Sequence, residues 1–161
     1  MAVIPAEPSC LACQTLAGTI SVPGGLILET DYWAADHCMG AFGVGSIVVK
    51  TKAHRPNLWE LTVEESASLG EVLKTLSGAM VRALGAERVY ISLWVDQPPY
   101  HVHFVLQPRY PEPTEDGLKG WRLQQARLQQ GSPNPQQMAE AAKKIRTYLQ
   151  SSLQSSLQSY C

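Results

Sequence analysis

The sequence predicts an α+β fold, with an antiparallel sheet, one main helix packed on it and a C-terminal helical extension. Three observations predict it. Short β-branched and aromatic runs broken by Gly and Pro fill the first third of the chain. A long amphipathic pattern then opens on a capping box, and two further strand-like runs follow, separated by paired prolines. With 161 residues and 45% apolar content, the chain can bury one core but is short for two full domains. The expected division is a domain over 1–110 and a linker with a helical tail over 111–161.

Each element has a local reason. Pro23-Gly24-Gly25 ends an N-terminal cysteine-bearing segment, and strand candidates follow at Leu26 to Leu28, Tyr32 to Asp36 and Gly45 to Lys50. The β-branched Ile47, Val48 and Val49 favour extended backbone, and the three runs read as a meander. Thr62-Val63-Glu64-Glu65 fits a capping box. Leu69, Val72, Leu73, Leu76, Met80 and Leu84 then recur at helical spacing for about five turns, until Gly85 supplies a stop. Strands are expected again at Val89 to Val95 and His101 to Gln107, divided by Asp96-Gln97-Pro98-Pro99, which cannot continue a ladder. From Pro108 the composition changes: Pro111 and Pro113 mark a linker, and residues 117–130 are Gln-rich and weakly helical. Asn134 then caps a last helix with Pro135 at its first position. The final LQSSLQSSLQSYC is a low-complexity repeat.

A formal net charge of −1 gives no electrostatic footprint for a nucleic acid or an anionic membrane, and neither is expected as a partner. No apolar run is long enough for a membrane span, and the first residues lack a signal-peptide pattern, so a cytoplasmic location is expected. The four cysteines do not form a disulfide framework: Cys10 and Cys13 make a C-x-x-C, Cys38 follows His37, and Cys161 stands last. In that setting C-x-x-C reads as a metal knuckle or a redox pair. Its place outside any strand-to-helix βαβ turn favours metal.

Two of the four histidines lie in His101-Val102-His103, in an apolar run whose alternation puts 101, 103, 105 and 107 on one face. Two imidazoles on such a face need partners. Cys10, Cys13 and His54 can supply them, since two thiolates and two imidazoles suit zinc. The long chain intervals between these residues are unlike a zinc finger and require a folded sheet. An H-x-H pair can also hold one ion with both rings, and spacing leaves that alternative open. Trp33, Trp59 and Trp94 read either as core or as a base-stacking frame. His37-Cys38 reads as incidental rather than as a second metal corner.

His101-Val-His103-Phe-Val105-Leu-Gln107-Pro108-Arg109 resembles the histidine-triad family, whose motif is His-x-His-x-His followed by two apolar residues and often Pro-Arg. Lys50-Thr-Lys-Ala-His54, the run from Leu58 to Thr62 and the C-x-x-C are similar to zinc-bearing members in order, over roughly residues 8 to 110. The resemblance implies zinc held by Cys10, Cys13, His54 and His101. It also implies His103 as the nucleophile that attacks a nucleotide's α-phosphorus to form a nucleotidyl-histidine, and a homodimer. Val105 stands where the family has its third histidine, and valine donates no hydrogen bond. Gln107 on the same face is the candidate compensating contact, and Arg109 reads either as a bidentate phosphate contact or as a solvated strand end. The family's Gly-Gln-Ser/Thr stretch has no counterpart; Asp96 to Tyr100 stand there instead. The expected activity is nucleotide hydrolysis or nucleotidyl transfer, on substrates of the dinucleoside polyphosphate or nucleoside phosphoramidate type. The alternatives are a catalytically weak nucleotide-binding module and a zinc-stabilised interaction protein.

Overall fold

A computed structural model describes residues 7–111 and 117–158; Pro113 of the expected linker and Cys161 lie outside them. The elements are α1 (Leu11–Leu16), β1 (Leu26–Glu29), β2 (Trp33–His37), β3 (Ile47–Thr51), a 3-10 turn (Leu58–Glu60), α2 (Val63–Leu84), β4 (Arg88–Ser92), β5 (His103–Arg109), α3 (Gly120–Gln130) and α4 (Pro135–Gln158). The strands form one antiparallel sheet in the order β1-β2-β3-β5-β4. The predicted α+β class is thus observed.

Helix α2 begins and ends where its sequence signals stand. The Thr62 hydroxyl accepts the Glu65 N–H at 3.2 Å, and the Glu65 carboxylate accepts the Thr62 N–H at 2.7 Å, completing the capping box. Gly85 closes the far end at φ 72°, a left-handed conformation that costs glycine little. Val72, Leu76, Ala79 and Met80 turn into the core against Trp33, Ala35, Ile47, Val49 and Leu106 of the sheet. The Trp33 indole also donates at 3.1 Å to the Glu65 carbonyl, so that its polar edge is satisfied beneath the helix. Helix α4 lies beside α2 and over β1 and β2, adding Ala142 and Ile145 to the same core.

The strand ends differ from expectation, by most at β4 and β5. β5 begins at His103 rather than His101, because the backbone of Val102 bonds to loop groups: its N–H donates to the Arg55 carbonyl at 2.7 Å, and its carbonyl accepts from Thr51 N–H at 3.3 Å. It then runs through Pro108 to Arg109 instead of ending at Gln107. The β3 ladder stops at Leu106, so Pro108 stands where β5 has only β4 as neighbour and the missing N–H is tolerated. β4 ends at Ser92, short of the expected Val95. One sheet face therefore carries the apolar core. The other carries Asp36, Lys50, His103 and Val105, with α1 and the segment from Trp94 to Pro99 at the walls of a cavity above them.

Candidate active site

Cys10, at the N-cap of α1, and Cys13, in its first turn, come to His54 in the loop after β3 and to His101 just before β5. The four donor atoms all lie within 4.8 Å of one another. Cys10, Cys13 and His101 are buried, and His54 is partly buried. Sγ of Cys10 is 3.4 Å from Nδ1 of His101, Sγ of Cys13 is 3.6 Å from the same atom, and Sγ of Cys13 is 3.3 Å from Nδ1 of His54. A tetrahedral centre with thiolate and imidazole ligands has sulfur-to-nitrogen edges of about 3.5 Å, given bonds of about 2.3 and 2.0–2.1 Å. The cluster fits that figure.

The ring orientation of His101 follows from its other nitrogen. Nε2–H donates to the Thr51 carbonyl at 2.9 Å, so Nδ1 presents its lone pair to the sulfurs, the arrangement that orients a ligating imidazole. Burial pushes His101 down to about 4, keeping the ring neutral, as a metal ligand must be. Burial raises the Cys13 thiol, and an arriving cation would displace that proton.

His103 is the next residue on the same face. Its Nδ1–H donates to the His101 carbonyl at 2.7 Å, so that Nε2 carries the lone pair, and the ring lines a cavity of about 460 Å³. The cavity's wall combines apolar groups such as Leu11, Val48, Phe42 and Trp94 with Lys50, Asp36 and Ser92. Val105 lies on its floor. Both motif histidines border the cavity, but only His101 stands in the four-residue cluster.

Gln107 and Arg109 lie elsewhere. The Gln107 amide donates to Gln124 Oε1 and, at 3.2 Å, to the Phe42 carbonyl, which ties β5 to α3. Arg109 pairs with Glu87 at 3.0 Å beside the end of β4. Trp33 is core, Trp59 is 83% exposed away from the cavity, and Trp94 lines the cavity while its ring meets Trp121 at 5.8 Å. His37 is a satisfied buried histidine: Nδ1–H donates to the Cys38 carbonyl and Nε2 accepts the Gly45 N–H, each at 2.8 Å. Burial pushes the Cys38 thiol up to about 11.

Neither a family model nor a curated protein matches the chain. Solved structures do. A zinc-bound histidine triad family protein from Mycobacterium smegmatis matches with a TM-score of 0.67 at 19% identity, covering 92% of this chain and 97% of that one. A hypothetical histidine triad nucleotide-binding protein from Sulfolobus tokodaii matches with a TM-score of 0.71 at 19% identity, covering 88% and 93%. This is the histidine-triad fold. A diadenosine triphosphate hydrolase from Plasmodium falciparum shares it with a TM-score of 0.60 at 17% identity, covering 82% of this chain and 80% of that one. In this histidine-triad fold the last motif histidine is replaced by a buried valine. The sequence also did not single out Lys50, whose place beside His103 depends on strand register.

Proposed function

We propose that the protein binds a nucleotide in the cavity and that His103 attacks its α-phosphorus. The observation that carries this reading is the 2.7 Å bond from His103 Nδ1–H to the His101 carbonyl, which turns the lone pair of Nε2 toward the cavity. In the first step Nε2 forms the N–P bond as the bond from phosphorus to the leaving group breaks, and the leaving group takes that bond's electron pair. The imidazolium charge that develops is stabilised through Nδ1–H by the same carbonyl. Water then attacks phosphorus: its oxygen stays there, a proton passes to solvent, and Nε2 takes back the electron pair of the N–P bond as that bond breaks. The Sulfolobus neighbour is a nucleotide-binding protein by name and the Plasmodium neighbour a hydrolase, which supports the class of ligand.

The cluster is read as a zinc site, since two thiolates and two imidazoles form a closed four-ligand set. With no open position, zinc held by Cys10, Cys13, His54 and His101 supplies folding energy rather than Lewis acidity. This leaves the phosphoryl chemistry to the side chains of the cavity.

The test is chromatographic turnover of dinucleoside polyphosphates, nucleoside phosphoramidates and nucleotide sugars by wild type and His103→Ala. Turnover in the wild type and its loss by a factor of at least about a thousand in the variant is expected. A second reading, nucleotide binding without turnover, is favoured by Val105, which removes a donor worth about 10²–10³ in rate. Binding with no turnover of any substrate would move the conclusion to that reading.

A further inference from the structure

Apart from the histidines, Lys50 is the one basic side chain among the described residues lining the cavity. β3 sets it directly opposite His103 in the ladder, so the two side chains leave the same face of neighbouring strands, with backbones about 5 Å apart. Lys50 is 2% exposed, and its ammonium is fixed by two acceptors: Asp36 Oδ2 at 2.5 Å and Thr15 Oγ1 at 2.6 Å. An ammonium offers three N–H donors. Two are therefore engaged, and the third has no partner among the described residues.

At the other positions from which a phosphate contact was expected, the side chains lack a donor or face other partners. Val105 has no donor, the Gln107 amide is bonded to Gln124 and Phe42, and Arg109 is paired with Glu87. We propose that Lys50 is the phosphate-binding residue of the cavity, giving its third N–H to the phosphoryl group presented to His103. In this arrangement Asp36 and Thr15 are positioning residues that hold the ammonium in place. Asp36 also offsets the cost of burying a lone cation, so the charge is ready before the ligand arrives. β3 thereby provides from the neighbouring strand the charge stabilisation that β5 lacks at Val105. This inference rests on the nucleotide reading above.

The experiment is isothermal titration of the metal-loaded full chain with adenosine, guanosine and their 5′-monophosphates. Lys50→Met alone would strand a buried carboxylate, so the informative variant is the double Lys50→Met/Asp36→Leu, which removes both charges at similar volume. Lys50→Arg is tested beside it, because it keeps the charge while changing the head group. Wild-type protein is expected to prefer monophosphate over nucleoside by about tenfold to a hundredfold, the range of one charge-assisted hydrogen bond. The double variant is expected to bind both alike, and Lys50→Arg to retain part of the preference. A change confined to overall packing would weaken nucleoside and monophosphate together and leave their ratio unmoved. Retention of the full preference by the double variant, or the absence of any preference in the wild type, overturns the assignment while nucleoside binding stands. Wild-type protein that binds neither ligand overturns the nucleotide reading and this assignment with it.

Discussion

His37 is the histidine whose protonation the fold resists most plainly outside the Cys/His cluster. It is fully buried, one ring nitrogen donates to the Cys38 carbonyl, and the other accepts from Gly45. Burial holds its pKa below the ordinary 6.5, so below that pH the unfolded chain takes up a proton that the folded chain refuses. The unfolded state then binds more protons, and stability falls as pH falls through that window. Urea midpoints measured between pH 7 and 5 are expected to decline in the wild type and to decline less in His37→Gln. At the cluster, His54→Ala should lose bound metal and His103→Ala should keep it; elemental analysis of both purified variants checks this, and metal loss from the second would undo the division of roles. The grouping of Cys10, Cys13, His54 and His101 was legible in the sequence because the four are chemically complete as types. The fixed tautomer of His103 was not legible, since the carbonyl of His101 that fixes it is a backbone atom and carries no sequence signal.

Among the elements, α2 has the clearest local cause, and its N-terminus does more than cap. Glu65 closes the capping box and also takes Arg55 Nε on both carboxylate oxygens, at 3.1 and 3.0 Å. Arg55 adjoins His54 of the cluster, and its carbonyl receives the N–H of Val102, next to His101. Thr62→Ala is therefore expected to cost about 1 kcal/mol in chemical denaturation while leaving metal affinity unchanged. Glu65→Ala should cost more and also weaken metal retention in a chelator competition, because Arg55 loses its buried partner. Equal metal retention in the two variants would show that α2 does not support the cluster. The helix was readable because its cap, periodicity and glycine stop agree. The start of β5 was not, because His101-Val102 carries a strand pattern whose hydrogen bonds go to the loop at Arg55 and to Thr51.

Over the whole molecule, the helices after the sheet complete its core. Arg146 of α4 donates to the Gly24 and Leu26 carbonyls at 2.8 and 2.7 Å, clasping the break before β1. A Cβ on Gly24 would come within 2.7 Å of the Ala142 Cβ and 2.9 Å of the Ala139 Cα, whereas one on Gly25 would meet nothing within 4 Å. Both glycines have positive φ. Gly25→Ala should thus cost about 1–2 kcal/mol from backbone strain, and Gly24→Ala a further 1–3 or so from the clash with α4. Comparable thermal midpoints for the two would mean that α4 does not press on this turn. That docking was not legible, since Ala142 and Ile145, upstream of the low-complexity repeat, are few among charged and polar residues.

The cluster also sets an order of events in time. Cys10 and His101 lie 91 positions apart. At about 5–20 residues per second of synthesis, the two thiols emerge roughly 5 to 18 s before the imidazole that completes their cluster. During that interval the cluster is incomplete, and α1 meets its partners His54 and His101 only after both have been made. A nascent chain halted before residue 101 would carry Cys10 and Cys13 without the imidazole that both face in the folded chain.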